Sequence, residues 1–519
     1  MRPIRLAAGV LTVGIWTLVS RVFGFARDIL MAAFMGSGPV AEAFLVAFAL
    51  PNMFRRFFAE GAFNTAFVPL FSKKLEAKED AANFAQDAFA ALAVLLIIFV
   101  LIAMAAMPWL VLAMASGFAG DERFDMAVGY GRITFVYILF ISLSALLSGV
   151  LNVTGRFAAA AAAPVLLNIL LLGALILAHR AYPAGTEARL YGLFLTWGVP
   201  VAGIAQLALV WVAAARAGIR LLPQIPKLTP DVKRLAIIAA PAMLAGGVVQ
   251  INLLVGRQIA SFFDGAIVWL GIADRLYQLP LGVVGIAIGI VLLPDLSRRL
   301  CAGDGAGGRK ALSRAGEISM ALTVPAAVAL MVIPLPLVSV LFERGAFGAD
   351  DTAATALALA VYGAGLPAFV LQKVLQPVYF AREDTRTPFR YALVAMVVNA
   401  VVAVGLAWVI GFLGAPIGTT VAAWVMVWLL ARGTRPMGKV AHFDDRFRRR
   451  SGRIILASVI MGVILWGLML LIGPLSGTGS WRYLVLAAMV MAGGVSYLGI
   501  GQALNAFHLS EFRAALHRP

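Results

Sequence analysis

The sequence is poor in cysteine, in histidine and in charged residues. Its single cysteine, Cys301, excludes an internal disulfide and a metal site built from cysteines. The four histidines fall at predicted helix ends or in loops and do not cluster, so they do not indicate a metal site. Charged residues make up 13% of the chain, against about 25% in an average soluble protein. No Walker A sequence occurs, which argues against ATP as a direct energy source.

Apolar residues, 62% of the chain, instead form long runs of about 20 residues, the length of a membrane-spanning helix. The short alternating strands of a membrane barrel are not seen. We therefore predict an all-α polytopic membrane protein without a large soluble domain. Its fourteen predicted transmembrane helices are 6–34, 41–70, 86–115, 126–152, 160–179, 189–215, 233–262, 266–296, 316–341, 353–380, 389–411, 415–431, 453–473 and 482–506. The second is longer than a ~30 Å hydrocarbon core requires, so it must tilt, kink at Pro51 or project into water.

Basic residues outnumber acidic ones by 42 to 25, a net charge of +17. This excess would suggest nucleic-acid binding in a soluble protein, but its distribution argues against that function. With the first two positions of each span counted in the adjacent loop, the even-numbered loops and the termini hold 29 of the 42 basic residues, the odd-numbered loops hold five, and eight fall inside spans. This asymmetry follows the positive-inside rule and predicts that both termini are cytoplasmic.

The first apolar run continues past Ser20 and Arg21 without a convincing cleavage site, so we interpret it as a span rather than a signal peptide.

An internal repeat divides the chain. Residues 69–75 (PLFSKKL) and 294–300 (PDLSRRL) share a pattern at an offset of 225 positions, and Asn168 and Asn399 form a weaker pair. We predict two six-helix lobes related by a pseudo-two-fold axis along the membrane normal, plus two C-terminal helices. The predicted divisions are an N-lobe at 1–217, a cytoplasmic linker at 218–232, a C-lobe at 233–431, a basic cytoplasmic loop at 432–452 and a C-terminal segment at 453–519.

Arginines lie inside the first two predicted spans, where a membrane helix should have few: Arg21, Arg27, Arg55 and Arg56. An arginine at a helix centre costs roughly 2.5–3.5 kcal/mol, so four cost about 10 kcal/mol before pairing. The carboxylates near enough in sequence to compensate are Asp28, Glu42 and Glu60. Cations therefore outnumber anions, which suits a negatively charged ligand, and the planar guanidinium suits phosphate.

Helical spacing groups these residues. In the first span, Arg21, Gly24 and Asp28 share one face, and Ser20 and Arg27 share a neighbouring one. Asp28 is thus an available counter-charge for Arg21. In the second span a stripe at i, i+4 and i+8 contains Asn52, Arg56 and Glu60, of which the last two are close enough to pair.

Later spans add Arg257, Asp274, Arg275 and Lys373. A purely structural interpretation stays open for part of this set. Arg56 and Glu60 could be a structural pair, Arg132 and Arg257 could tie the core together, and Lys373 could extend toward the membrane surface.

The runs Ser20–Asp28 (SRVFGFARD) and Leu50–Phe63 (LPNMFRRFFAEGAF) closely resemble the MurJ (MviN) family, the bacterial lipid II flippases of the MOP exporter superfamily. The segments 273–276 (ADRL) and 384–388 (DTRTP) are also similar to that family. The resemblance extends over most of the chain. It implies two lobes around a central cavity, with the last two spans forming a lateral groove for a lipid tail. It also implies alternating-access transport of undecaprenyl-diphosphate-linked peptidoglycan precursor to the periplasmic leaflet of the inner membrane.

Residue by residue, the resemblance implies cavity roles for Arg21, Arg27, Arg55 and Arg275. It implies other important roles for Asp28, Arg56 and Glu60. We add Ser20, Glu42, Asn52 and Asp274 as substrate-binding candidates from their positions beside these residues. Glu42 stands where family members often have aspartate, which keeps the charge.

Some members of that family bind sodium through a carboxylate in the seventh span, and residues 233–262 contain none. Sodium coupling is therefore in doubt, and the membrane potential or another ion is left as the energy source.

We expect no cofactor, no resident metal and no nucleic-acid partner. We expect a monomer that binds lipid II and membrane lipid.

Four alternative functions would each leave a different pattern of residues. A flippase for another polyprenyl-diphosphate saccharide would need the same cations. A drug or cation antiporter of the MATE type would need an excess of carboxylates. An enzyme acting on a lipid diphosphate would need an acid–base or metal cluster, and a scaffold would not explain the arginines.

Overall fold

The fold is given by a computed structural model that describes residues 6–56, 58, 62–77, 79–182, 188–219, 224–227, 229–438, 441–472, 479 and 481–507. Across these residues the secondary structure is helical, apart from an isolated antiparallel bridge between Arg344 and Phe347. Eighteen α-helices occur in the described part of the chain. They are α1 (Leu6–Met35), α2 (Pro39–Arg55), α3 (Ala62–Glu76), α4 (Ala81–Ala105), α5 (Met107–Met114), α6 (Glu122–Thr134), α7 (Tyr137–Val153), α8 (Ala158–Ala181), α9 (Ala188–Arg216), α10 (Pro230–Ala260), α11 (Ala266–Cys301), α12 (Gly305–Val332), α13 (Pro334–Phe342), α14 (Ala349–Phe380), α15 (Arg386–Ile410), α16 (Gly414–Gly433), α17 (Asp445–Ile472) and α18 (Trp481–Ala503).

Several predicted spans correspond to two consecutive helices. The span predicted at 86–115 is divided between α4 and α5, and the span at 316–341 between α12 and α13. In both cases the second helix carries proline in its first turn, Pro108 in α5 and Pro334 in α13. Proline has no backbone N–H and is favoured at this position, so it starts a new helix.

The long second span, 41–70, corresponds to α2 and α3. Pro51 is buried inside α2, and the helix continues past it to Arg55. Residues 57 and 59–61, between α2 and α3, lie outside the described part of the chain.

Nine helical stretches within the described residues are long and apolar enough to cross a membrane. The chain is therefore a polytopic helical protein, as its composition predicted.

The first of two compact units comprises Met1–Val268 together with Arg344–Phe347. Within it α1 packs against α8, α8 against α9, α2 against α6, and α3 against α10. Helix α10 is also bonded at its far end, where the Gln258 side-chain amide donates to the carbonyl oxygens of Leu112 and Ala113 at 3.0 and 2.7 Å. This unit extends beyond the predicted N-lobe because α10 packs with it. The functional division into lobes stays a prediction.

The second unit comprises Trp269–Glu343 and Gly348–Pro519. Here α14 packs against both α12 and α16, α15 packs against α16, and the pair α17–α18 packs on α12. The hydroxyl of Tyr497 in α18 donates to the Ala321 carbonyl in α12 at 2.6 Å.

The basic first turns of α17 are attached to α12 through one carboxylate. Glu317 is buried, and each of its two carboxylate oxygens accepts a hydrogen bond from Arg314 Nη1 at 2.7 Å. Arg450 lies 3.3 Å from the same carboxylate and Arg446 lies 3.5 Å away. Part of the basic loop predicted at 432–452 thus contacts the protein rather than solvent alone.

Candidate functional site

A polar network links α1 to α8 inside the first unit. Arg27 is 7% exposed and donates from Nε and Nη2 to Asp28 Oδ1 at 3.1 and 2.6 Å. Its remaining nitrogen, Nη1, donates to Asn168 Oδ1 at 3.0 Å. The Asn168 amide in turn donates to the carbonyl and hydroxyl oxygens of Ser20 at 3.0 and 3.2 Å. One asparagine therefore fixes both the arginine and the helix turn that precedes it.

Gly24 lies at the contact between α1 and Asn168 of α8. A Cβ placed on Gly24 would lie 3.4 Å from Asn168 Nδ2, at the close end of ordinary van der Waals contact. Small residues of this kind are common where membrane helices pack.

The pairing of Asp28 differs from the expectation that it compensates Arg21. Asp28 contacts Arg27 instead. Arg21 stands seven residues away, about 10 Å along the helix axis, whereas Arg27 is adjacent. Arg21 is exposed and makes no hydrogen bond or ion pair with any residue that the structure describes. Asp28, predicted on the same face as Arg21, thus joins Ser20 and Arg27 in the polar network, and Arg21 stays exposed.

Glu42 lies near the start of α2, away from the arginines at its end. Its carboxylate is 1% exposed and accepts a hydrogen bond from Arg123 Nη1 at 2.8 Å. It also accepts from the backbone N–H of Ile267 at 3.2 Å. Arg55 is 13 residues further along α2, about 20 Å away. Glu42 is therefore the partner of Arg123, and its predicted role in substrate binding stays untested.

Arg123 is surrounded by acids. Besides Glu42, it bonds Asp121 and lies 3.0 Å from Asp264, and its guanidinium stands 4.6 Å from the centre of the Phe118 ring. Burial opposes ionisation of Asp121, but the hydrogen bonds from Arg123 outweigh it and hold the Asp121 pKa below its usual value. No pattern in the sequence predicts this pairing, because Arg123 falls in a predicted loop 81 positions from Glu42.

The end of α2 presents the second group of candidates. Arg55 is half-buried and Arg56 is exposed. The Asn52 amide donates to the Phe48 carbonyl at 2.8 Å, so it is bonded within its own helix. Glu60 lies outside the described residues, and the predicted Arg56–Glu60 pair stays a prediction.

In the second unit, α11 carries Asp274 and Arg275. Asp274 accepts a hydrogen bond from the Gln278 side chain one turn later. Arg275 is exposed, on roughly the opposite side of α11 from Tyr277, whose ring stacks on Tyr362 of α14 at 5.0 Å.

The remaining charges inside spans have mixed surroundings. Arg257 Nη1 lies 3.9 Å from the Met114 sulfur, and Arg132 donates to the Met104 carbonyl at 3.3 Å. Lys373 is exposed on α14. Among the described residues no group of three or more histidines, cysteines and carboxylates could hold a metal ion.

The sequence is similar to those of a known protein family. The family described as lipid II flippase MurJ matches residues 31–508 of the chain. The chain belongs to this family. A probable lipid II flippase MurJ of Rhizobium tropici is 44% identical over 474 residues, covering 91% of this chain and 88% of the relative. The lipid II flippase MurJ of Burkholderia cenocepacia is 35% identical over 474 residues, covering 89% and 90%.

Solved structures of MurJ and MATE transporters share the fold. A structure of lipid II flippase MurJ in an inward closed conformation matches with a TM-score of 0.78 at 24% identity, covering 98% of this chain and all of the other. An inward-facing MATE transporter of the MOP superfamily matches with a TM-score of 0.64 at 14% identity, covering 83% and 98%. The family match and the two relatives confirm the predicted membership of the MurJ family.

Proposed function

We propose that the protein is a lipid II flippase of the bacterial inner membrane, a transporter and not an enzyme. It moves undecaprenyl-diphosphate-linked peptidoglycan precursor from the cytoplasmic to the periplasmic leaflet and so supplies cell-wall synthesis. Membership of the MurJ family and the names of the relatives support this function.

The main observation behind the proposal is that the carboxylates near Arg21 in the sequence are paired with other arginines. Asp28 is engaged by Arg27, and Glu42 is engaged by Arg123. Neither is left to neutralise Arg21, which makes no ion pair within the described residues. A cation held in a membrane helix without a protein counter-charge favours an anionic ligand.

The chemistry of the diphosphate fits these groups. Arginine presents a planar fork of N–H donors that matches phosphate oxygens. We propose that Arg21, Arg27, Arg55 and Arg275 are the arginines that take part in binding the diphosphate. Asp28 orients Arg27 directly, and Ser20 is linked to the same arginine through Asn168. The further substrate-binding candidates stay Asn52, Arg56, Glu60, Glu42 and Asp274.

We propose fourteen membrane crossings with both termini in the cytoplasm, in a monomer. Each predicted span coincides with a described helix or a consecutive pair of helices, which supports that count. Transport then proceeds by alternating access, with movement of the two repeat-related halves. The pair α17–α18 would accommodate the lipid tail, and its exposed apolar side chains, such as Leu471 and Val495, are compatible with this role.

We propose that transport needs no cofactor and draws on the membrane potential or on an ion other than sodium. The seventh predicted span, residues 233–262, has no carboxylate for sodium. A MATE-type cation antiporter is disfavoured because Asp28 and Glu42 are already bonded to arginines.

The test uses the purified full-length protein in lipid vesicles containing fluorescent lipid II in the inner leaflet. We expect lipid II to appear at the outer surface, and we expect Arg275→Ala to reduce its appearance at least tenfold. Arg298→Ala is the matched control, because Arg298 lies near the end of the same helix with 80% of its side chain exposed. Vesicles containing an undecaprenyl-diphosphate oligosaccharide without peptide test the alternative substrate. Transport of that lipid but not of lipid II would contradict the proposal.

A further inference from the structure

Lys373 is a cation inside a membrane-length helix that the sequence alone left unexplained. It lies in α14, in a stretch whose length and apolar composition suit a membrane crossing. The residue is exposed and makes no hydrogen bond or ion pair with any described residue. The contacts therefore do not indicate that Lys373 is a buried counter-charge to a carboxylate of the protein.

The direction of Lys373 follows from helical geometry. At 3.6 residues per turn, Lys373 lies about 20° from Tyr362 and about 40° from Phe369 around α14. Both rings stack on Tyr277 of α11, with centroids 5.0 and 5.6 Å apart. Lys373 thus shares the side of α14 that faces α11 within the second unit.

The opposite side of α14 is the apolar one. Leu357 is 55% exposed and lies about 160° from Lys373. The two flanks between them are occupied by other helices. Gly363 packs against Leu330 of α12, and the Gln372 amide donates to the Ala423 carbonyl of α16. A lysine directed toward the lipid would lie beside Leu357, and Lys373 does not.

We propose that Lys373 is a further substrate-binding residue, whose ammonium donates to a phosphate oxygen of the lipid-linked diphosphate. This inference rests on the proposed function and deepens it. By the predicted orientation Lys373 lies in the half of α14 nearer the cytoplasm. It would therefore meet the diphosphate soon after the substrate leaves the headgroup layer.

The test measures binding of undecaprenyl diphosphate and of uncharged undecaprenol to the full-length protein in nanodiscs. Lys373→Met removes the charge at nearly constant length, and Lys373→Arg restores it. Lys310→Met is the matched control, because Lys310 is exposed near the start of α12, outside the predicted spans. We expect Lys373→Met to weaken binding of the diphosphate about tenfold and to leave undecaprenol binding unchanged. We expect Lys373→Arg to lie within about threefold of the native chain.

Equal binding of undecaprenyl diphosphate by Lys373→Met and by the native chain would overturn the inference. An equal loss for undecaprenol would overturn it too, because it would indicate a packing defect. Lipid II transport by the native chain is measured in parallel vesicles. If that transport occurs while Lys373→Met binds normally, only the role of Lys373 fails. If the native chain moves no lipid II, the proposed function itself fails.

Discussion

Arg27 and Asp28 are consecutive residues, and their side chains form an ion pair with an Nη2–Oδ1 distance of 2.6 Å. Neighbouring side chains on a helix diverge by about 100°, so the long arginine side chain must fold back to reach its neighbour. Asn168 Oδ1 accepts a hydrogen bond from the remaining guanidinium nitrogen, Arg27 Nη1. The arginine is thereby fixed in direction before any ligand arrives, as a preorganised binding group requires.

Arg21 and Arg27 should respond differently to loss of the guanidinium. We expect Arg21→Ala to reduce lipid II transport at least tenfold with little change in thermal stability, because Arg21 is exposed and makes no ion pair among the described residues. Arg27→Ala should reduce both, since it removes the partner of the buried Asp28. Transport in vesicles and the melting temperature in detergent distinguish the two effects. Arg21→Lys should retain part of the activity, and full transport by Arg21→Ala would refute its role.

Asn168 should act as a positioning residue for Arg27. Replacing it with alanine removes the acceptor for Arg27 Nη1 and the donor to Ser20. A lost buried hydrogen bond costs about 1–3 kcal/mol, so we expect transport to fall about tenfold or more. Asn152→Ala is the control, because Asn152 is exposed near the end of α7. Transport per folded molecule is the measurement, and rescue by Asn168→Gln would support positioning. Equal transport by the Asn168→Ala and Asn152→Ala variants would exclude this role.

The buried pair of Arg123 and Glu42 should contribute strongly to stability. Removing one partner of a buried ion pair costs about 3–5 kcal/mol, because the other charge is left in a low-dielectric site. We therefore expect Arg123→Ala to lower the melting temperature markedly. Arg189 pairs with Glu122 at 3.0 Å with both side chains more than half exposed, so Arg189→Ala should cost at most about 1 kcal/mol. Similar melting temperatures for the two variants would contradict the assignment.

Asp384 should make a pH-dependent contribution. The backbone N–H of Thr387 donates to Asp384 Oδ1 at 2.9 Å, and this bond lowers the Asp384 pKa below its usual value. The stabilisation is fully present above about pH 3.9, the pKa of an unfolded aspartate, and is lost as the pH falls through the lowered folded value. The melting temperature of the native chain should exceed that of Asp384→Ala at pH 7, and the difference should shrink below pH 4. A difference that stays constant down to pH 2 would exclude this cause.

Close backbone approach at Gly117 gives a steric prediction. A Cβ at this position would lie 2.5 Å from the carbonyl carbon of Ser261, which has little room to move because its hydroxyl accepts from the Gly117 N–H. Overpacking of this kind costs about 1–3 kcal/mol, so Gly117→Ala should lower the melting temperature. Gly129→Ala is the matched control, since a Cβ there meets nothing within 4 Å. The prediction fails if both variants melt as the native chain does.

The helical class and the approximate positions of the helices could be predicted from the sequence. Runs of apolar residues have one stable form in a bilayer, because every backbone group must be satisfied within the segment. The family was also predictable, because the two arginine-containing runs are long and specific. Helix breaks were less predictable, since the division of the 86–115 and 316–341 spans depends on single prolines near their ends.

By itself, then, the sequence determined the membrane class, the surplus of cations in the first two spans and the family, because hydropathy, charge and local motifs are read along the chain. Only the tertiary structure decided the pairings: Asp28 with Arg27, Glu42 with Arg123, and Asn168 between α8 and α1. An ion pair joins atoms a few ångströms apart, and two residues 81 or 141 positions apart meet only after the helices pack. For that reason the amino-acid sequence alone does not determine which residue pairs with each arginine, and the packing of the helices does.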